Sequence, residues 1–291
     1  MAISLSVAGT AGRSRQRQRR LAKAVGNGLL VVMLVWTLVP FYWMVATSLK
    51  TDKEIYGFEA TLVPRHPTLE AYGRLFSQTP FTNYLRNSTI VAVATTLVSL
   101  ALGSLGAYAI ARLRFPGRNV IARGLIFTYL VPPSLLFIPL FAVLSILALI
   151  DTRSGLTLTY LSFTVPFSTW LLLGYFRSVP LELEEAALVD GCSRLSALVR
   201  IILPMSLPAL AVVAFFSFTQ AWNEFLYANV FVNSIEVRTI TTGLTLFIVE
   251  DVFFWGPMMA AACLATLPPL VLYLIFQRWV VKGLTLGAVK G

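Results

Sequence analysis

Six long stretches of this 291-residue sequence contain no charged side chain. They cover residues 24–49, 87–111, 124–150, 154–176, 201–223 and 252–277, and each has 23 residues or more. About 20 apolar residues suffice to cross a bilayer as a helix, because each residue rises about 1.5 Å. Inside hydrocarbon, backbone amides must be paired within their own segment, so runs of this length must be helices. We therefore predict an all-α, polytopic membrane protein with six transmembrane helices.

The positions of the charged residues predict the topology. The net charge is +10, yet only 12% of residues are charged. Residues 13–23 carry six basic side chains and no acid, and residues 112–123 carry four basic side chains and no acid. The positive-inside rule assigns these loops and both termini to the cytoplasm. Residues 1–24 are predicted to be a basic extension that lies against lipid headgroups rather than nucleic acid.

Some residues inside the apolar runs predict how the helices are shaped and packed. Prolines remove a backbone donor and are predicted to kink or break the third and sixth helices; they are Pro132, Pro133, Pro139, Pro268 and Pro269. Small residues at four-residue spacing allow close helix approach in the second run; they are Ser99, Gly103 and Ala107. For these small residues, packing is a simpler interpretation than a transport role.

Catalytic and metal-binding patterns are not found. There is no G-x-x-x-x-G-K-[ST] sequence to cradle a phosphate and no nucleophile–base pair. The lone histidine is His66, and Cys192 and Cys263 are predicted to lie at different depths. We predict no metal site, no cofactor in this chain and no enzyme activity of its own, so a partner chain would have to hydrolyse any ATP.

Residues 178–206, between the fourth and fifth runs, have the pattern of two short helices. Pro180 suits a helix start, and the acids that follow it suit the positive end of the helix dipole. Gly191 is predicted to end the first helix in a left-handed conformation, and Ser193 to cap the second. That second helix carries an apolar stripe and is predicted to end at Pro204; the stripe is Leu195, Leu198, Val199 and Ile202.

This segment resembles the EAA loop of bacterial ABC importer permeases. Glu185-Ala-Ala is followed after three residues by Gly191, and after nine more by Ile201-x-Leu-Pro. The resemblance implies a cytoplasmic hairpin that docks into a groove of an ATPase subunit. The residues that it implies for coupling are Glu185, Ala186, Ala187, Gly191, Ile201, Leu203 and Pro204.

Other segments are similar to permeases of the carbohydrate-uptake class, and to the smaller maltose-type subunit in particular. These are residues 40–50, 107–118, 221–226 and 283–291. The resemblance implies a permease domain over residues 25–291 in the bacterial cytoplasmic (inner) membrane. It implies four kinds of partner: a homologous second permease, two ATPase subunits that bind ATP and Mg²⁺, an external solute-binding protein and membrane lipid.

The C-terminal tail, residues 282–291, is implied to contact the ATPase. The residues singled out for this contact are Gly283, Leu284, Thr285 and Lys290. Repeated glycines lower helix propensity, so we predict that this segment is not helical by itself.

Glu224 directly follows the fifth run and is the one clearly intramembrane charge of the fifth predicted span. It sits beside Gln220, Trp222 and Asn223, and the four could form a polar site in the bundle or line the translocation path. A charge at that depth is costly unless it is paired. No aromatic cluster accompanies it in the sequence, which slightly favours a structural role.

Two other classes of function fit the sequence less well. A secondary transporter or channel driven by an ion gradient usually needs intramembrane ionisable groups, and this interpretation leaves the EAA spacing unexplained. A membrane enzyme would need a constellation of catalytic groups that the sequence does not show. The sequence therefore predicts an ABC importer permease that moves a sugar or sugar-like solute.

Overall fold

Helices make up almost all of the computed structural model, which describes residues 7–249 and 252–288. The first 112 residues contain the helices α1 (Val7–Ser48), α2 (Asp52–Ile55), α3 (Glu70–Gln78) and α4 (Phe81–Arg112). Next come α5 (Arg118–Leu130), a 3-10 turn (Pro133–Leu136), α6 (Phe137–Ile146), α7 (Arg153–Phe176) and α8 (Leu181–Val189). Then follow α9 (Arg194–Ala197), a π turn (Leu198–Ile202), α10 (Leu203–Met205), α11 (Leu207–Asn223) and α12 (Leu226–Phe231). The last are α13 (Ile240–Gly243), a 3-10 turn (Leu244–Phe247) and α14 (Trp255–Ala288).

One small β element interrupts the helical pattern. Strands β1 (Ile248–Val249) and β2 (Val252–Phe253) pair antiparallel, with Ile248 opposite Phe253. The nearly all-helical architecture agrees with the all-α prediction, from which these four residues depart locally. Such a short ladder closes a loop locally and leaves the helical architecture unchanged.

Four helical segments in the described part of the chain are long and apolar enough to cross a membrane. They are Ala22–Ser48, Phe81–Arg112, Arg153–Phe176 and Trp255–Trp279. A fifth is obtained if Arg194–Met205 and Leu207–Asn223, which meet at an angle of 84°, count as one broken span. The third predicted run is divided among α5, a 3-10 turn and α6, so six continuous helices are not observed.

Proline explains why the third run is divided. Helix α5 ends at Leu130, and the 3-10 turn begins at Pro133, so the predicted break is confirmed here. Pro139 stays inside α6, where it is the third residue. Amides in the first turn of a helix have no partner within the helix, so a proline there removes no hydrogen bond.

The sixth run behaves differently. The prolines of this run were predicted to kink or break its helix. Helix α14 continues through Pro268 and Pro269, so it is not broken there. Pro269 has no N–H to offer the carbonyl four residues earlier, and that carbonyl, of Ala265, accepts the indole N–H of Trp222 at 3.0 Å. A side-chain donor from α11 thus replaces the missing backbone donor, as helices in membranes require.

The C-terminal residues also differ from the prediction. Helix α14 continues through Gly283 and Gly287 to Ala288, so the predicted absence of helix is wrong for that stretch. Glycine costs a helix only about 1 kcal/mol relative to alanine, and extending an existing helix needs no new nucleus. Lys290 lies outside the described residues.

The chain divides into two compact units by its internal contacts, residues 1–72 with 255–260 and residues 73–254 with 261–291. In the first unit, the Lys50 ammonium lies 4.5 Å above the Trp43 ring and donates to the Thr61 carbonyl. The Thr61 hydroxyl in turn donates to Glu54, and this bond together with the Arg65 amide lowers the pKa of Glu54. These contacts order the polar loop that follows α1.

In the second unit, α4, α7 and α11 form the core. The small residues of α4 lie at its contact with α7: a Cβ on Gly103 would approach the Ser168 Cβ to 2.7 Å. The Ser99 and Thr164 hydroxyls are 2.7 Å apart, and Ala107 is fully buried. The stripe at four-residue spacing is therefore a helix-packing surface, as the simpler interpretation predicted.

Candidate functional site

The first arm of the hairpin is α8, and it ends in the predicted left-handed turn. Gly191 has φ +84°. The Cys192 amide donates to the Ala187 carbonyl at 2.9 Å and the Gly191 amide to the Leu188 carbonyl at 3.1 Å. These two bonds form a Schellman motif that satisfies the last carbonyls of α8. No atom lies within 4 Å of a Cβ placed on Gly191, so the dihedral angle alone explains the glycine.

The second arm begins as predicted and ends later than predicted. The Ser193 hydroxyl accepts the Ser196 amide at 3.2 Å and caps α9. The chain then widens into a π turn, in which the Leu203 amide donates to the Leu198 carbonyl. It continues past Pro204 to Met205. The prediction that Pro204 ends the helix is wrong by one residue, since the bend falls at Ser206. The wider π turn before Pro204 accommodates a residue that has no backbone N–H.

Half of the predicted apolar stripe faces the bundle. Leu198 and Ile202 are buried against α4, α7 and α11, in a core that includes Phe176. Leu195 and Val199 are exposed, so the bundle buries two of the four residues of the stripe. The bundle covers only one side of the arm.

Two neighbouring glutamates on α8 face opposite ways. Glu185 is exposed, whereas the Glu184 side chain is only 3% exposed. The Glu184 carboxylate accepts the Tyr108 hydroxyl at 2.5 Å and lies 3.1 Å from Nε of Arg112. The Arg112 side chain is itself only 8% exposed and donates through Nη2 to the Val179 carbonyl at 2.7 Å.

Sequence reasoning missed this buried cluster. It grouped Glu184 with its neighbours as an acid of the first helical turn, and treated Arg112 as one of four loop cations. One signal was available: Tyr108 and Arg112 are four residues apart at the end of α4, so they lie on one face of that helix. The partner on α8 is 72 residues further along the chain than Arg112, and nothing local identifies it.

The residues implied for coupling separate into outer and inner positions. Glu185, Ala186, Gly191 and Pro204 are exposed. Ala187 is buried, and Ile201 and Leu203 are half-buried. The hairpin thus presents a shallow outer face made by α8 and its terminal glycine, while its inner side holds it on the bundle.

Glu224 lies in the break between α11 and α12. Its carboxylate accepts the Tyr227 amide at 2.9 Å, the Ala228 amide at 3.0 Å and the Tyr160 hydroxyl at 2.8 Å. The side chain therefore caps the start of α12 and ties it to α7. Backbone dipoles and a phenol, rather than a cation, stabilise this charge.

The four residues predicted to form a polar site around Glu224 differ in burial, and their common role stays a prediction. Gln220 and Asn223 are exposed, and the buried Trp222 donates to the Ala265 carbonyl. The expectation that no aromatic cluster accompanies Glu224 is wrong. A series of rings from three helices begins at Tyr160, whose hydroxyl contacts Glu224, and has neighbouring centroids 5.3–6.4 Å apart; it continues through Phe163, Tyr227, Phe231 and Phe137.

The predicted tail contact falls outside the hairpin. Gly283, Leu284 and Thr285 belong to α14, and their implied contact with an ATPase stays a prediction. Over residues 7–249 and 252–288, no group of three or more metal-ligating side chains is found. Cys192 and Cys263 are not joined by a disulfide.

Comparison with known proteins identifies the family. Residues 99–286, which include the whole hairpin, match the family described as the binding-protein-dependent transport system inner membrane component. The chain belongs to this family. It is therefore the multi-pass inner-membrane component of a transport system, and the family is one of transport subunits rather than enzymes.

Individual relatives agree along nearly their whole length. The chain is 39% identical over 264 residues to the inner membrane ABC transporter permease protein YcjP of Escherichia coli, covering 90% of this chain and 94% of the relative. It is also 39% identical, with the same coverage, to the trehalose/maltose transport system permease protein MalG of Thermococcus litoralis.

A solved structure shows the same fold. A chain of a bacterial ABC transporter involved in the import of the acidic polysaccharide alginate superposes with a TM-score of 0.80. The alignment covers 91% of this chain and 98% of that chain, at 24% sequence identity. The nearly all-helical architecture described above is therefore that of an ABC transporter permease.

Proposed function

We propose that this chain imports a sugar or sugar-like solute into the cytoplasm by alternating access, driven by a separate ATPase. The chain is 39% identical to a trehalose/maltose transport system permease protein over 94% of that protein's length, which supports the substrate class. In this proposal six spans form from α1, α4, the broken α5–α6 segment, α7, the bent α9–α11 segment and α14. The first span is the part of α1 that lies beyond the basic extension of residues 1–24, and residues 25–291 form the permease domain.

The outer face of the hairpin is the observation that carries the proposal. Glu185 and Ala186 are exposed on α8, and the left-handed turn at Gly191 directs the second arm back onto the bundle. A short helix with small exposed residues fits into a groove of another protein, because small side chains permit close approach. We propose that this face docks on the ATPase, which binds ATP and Mg²⁺, and that residues 282–291 add to the contact.

The remaining partners are a homologous second permease, a second ATPase copy, an external solute-binding protein and lipid. The apolar side chains of α1 support a lipid or permease contact, since Leu30, Met33 and Trp36 are exposed. Exposed apolar faces of this length need hydrocarbon or another protein around them. The family description, a binding-protein-dependent system, supports the external receptor.

Reconstitution tests the proposal. The chain is purified with the permease, ATPase and binding protein encoded beside it, and placed in proteoliposomes loaded with ATP and Mg²⁺. We expect uptake of labelled trehalose, maltose or a related oligosaccharide that requires ATP and the binding protein. Uptake that follows a proton or sodium gradient without ATP would instead establish a secondary transporter.

Thiol labelling tests the proposed orientation. In a Cys263→Ser background, Cys192 in the hairpin is the single thiol. An impermeant maleimide should label it only after the cells are permeabilised, because we place the hairpin and both termini in the cytoplasm. Labelling in intact cells would place the hairpin outside and remove the ATPase-docking role.

A further inference from the structure

The buried cluster of Glu184, Arg112 and Tyr108 joins two elements that are far apart in the chain. Tyr108 and Arg112 lie at the end of α4, a 32-residue helix, and Glu184 lies on the nine-residue α8. Oε1 of the Glu184 carboxylate accepts the Tyr108 hydroxyl, and Oε2 lies 3.1 Å from Arg112 Nε in an ion pair without hydrogen-bond geometry. Arg112 also holds the Val179 carbonyl just before α8 begins. The base of the first arm is therefore attached to α4 at three points.

The opposite end of the hairpin is attached differently. The second arm is held by apolar packing of Leu198 and Ile202, and it meets α11 at an angle of 84°. Apolar packing is non-directional, so it tolerates small sliding movements. The hydrogen bonds from the Tyr108 hydroxyl to Glu184 and from Arg112 Nη2 to the Val179 carbonyl are directional, and the buried ion pair beside them is screened less than a surface pair. The first arm is thus fixed to α4, and the second arm meets its helix at a bend.

We propose that Glu184, Arg112 and Tyr108 form an anchor that transmits movement of the hairpin to α4. This inference rests on the proposed function, in which the outer face of α8 docks on an ATPase. The three are positioning residues: they contact neither solute nor nucleotide. Displacement of Glu185 and Ala186 by the ATPase is carried one residue along α8 to Glu184, and from there to the end of a helix that crosses the membrane. Without the anchor, α8 would move while α4 stayed in place.

The primary test uses Glu184→Gln, with Glu236→Gln as its matched control at an exposed glutamate outside the hairpin, between α12 and α13. The glutamine at position 184 keeps the shape and an acceptor for Tyr108 but loses the charge opposite Arg112. Assembled complexes are quantified and reconstituted, and solute taken up per ATP hydrolysed is measured. We expect this ratio to fall about tenfold in Glu184→Gln, a size typical of coupling between sites, and to keep its parental value in Glu236→Gln. A parental ratio in Glu184→Gln overturns the anchor.

Two further variants keep the test decisive if Glu184→Gln fails to assemble. The double variant Arg112→Gln with Glu184→Gln leaves no unpaired buried charge, so it should assemble better than either single variant. Tyr108→Phe removes only a hydroxyl. We expect both to assemble and to transport less solute per ATP than the parent, with the smaller loss in Tyr108→Phe. If both assemble and couple like the parent, the cluster has a folding role alone and the inference is overturned.

Failure of the inference is distinct from failure of the proposed function. If the parental complex takes up no solute with ATP, the proposed function fails, whatever the variants do. If the parental complex transports and the anchor variants transport with an unchanged ratio, only the inference fails. A second measurement gives independent support: the distance between spin labels at two exposed positions, Val189 on α8 and Leu105 on α4. In the parental complex this distance should be the same with and without ATP. In Glu184→Gln it should vary.

Discussion

Two glutamates in the second unit, Glu184 and Glu224, are stabilised in opposite ways. Glu184 joins α8 to α4 through a cation, Arg112, and a phenol, Tyr108. Glu224 accepts two backbone amides of the helix that follows it and one phenol, from Tyr160. An ion pair between distant segments fixes the position of one element on another. A cap fixes a local change in chain direction. The contrast predicts a hierarchy of mutational effects.

The largest effect should follow removal of the cation. Arg112→Met leaves the Glu184 carboxylate buried with no counter-charge, and breaking a buried pair in this way costs about 3–5 kcal/mol. We expect a large loss of folded protein and of thermal stability in detergent. Arg114→Met, which removes an exposed arginine of the same loop, is the matched control. Equal melting temperatures for the two variants would show that the ion pair adds nothing to stability.

A smaller effect is expected at the cap. Glu224→Leu removes the acceptor of two amides and one hydroxyl, and unsatisfied buried donors cost about 1–3 kcal/mol each. Because Glu224 is only partly buried, water can reach part of the site and the total should stay below the effect of Arg112→Met. Glu224→Gln keeps an acceptor and should cost about 1 kcal/mol. If Glu224→Gln is as harmful as Glu224→Leu, the charge matters more than the acceptor and the contrast with Glu184 disappears.

Substitution of two glycines in the left-handed conformation distinguishes an effect on folding from an effect on coupling. Gly191 and Gly117 have φ of +84° and +82°, and a Cβ added at either position would have no atom within 4 Å. Alanine at either position should cost about 1 kcal/mol, because only the dihedral angle is unfavourable. We expect equal losses of thermal stability but a loss of transport-coupled ATP hydrolysis only in Gly191→Ala. Equal coupling in both variants would argue against the hairpin as the docking element.

The smallest effect concerns a third carboxylate, Asp151, in the loop before α7. Burial raises its pKa, but the amides of Ser234 and Asn233 and the Ser234 hydroxyl outweigh this, so the pKa lies below its ordinary value. A lowered pKa stabilises the fold above the ordinary value of about 4, and this contribution is lost as pH falls through the lowered value. Thermal stability should therefore decline below about pH 4, less steeply in Asp151→Asn. Identical pH profiles would show that these bonds are too exposed to matter.

Much of the fold followed from local patterns. Four of the six apolar runs correspond to membrane-length helices, and the division of the third run was predicted from its prolines. The turn at Gly191 and the cap at Ser193 were also predicted correctly, because each depends on only a few consecutive residues. These features are decided by backbone geometry and hydrophobicity over distances of a few residues.

The errors have a common physical cause. Pro269 does not break α14 because Trp222, 47 residues earlier in the chain, supplies the missing donor. The sequence also could not show which part of the apolar stripe is covered: Leu195 and Val199 are exposed because the neighbouring helices cover only one side of their arm. In each case a partner distant in sequence changes the energy of a local choice, and no periodicity within the segment can show this.

The sequence by itself determined the membrane class, the positions of most helices and the resemblance of the hairpin to a coupling loop. Long uncharged runs and short turn signals suffice for these, because bilayer thickness and backbone sterics act on each segment separately. Only the tertiary structure decided which of two adjacent glutamates is buried. Glu184 turns inward because Arg112 and Tyr108 of α4 lie there, and a carboxylate can leave water only where a charge and a hydrogen-bond donor replace the solvent.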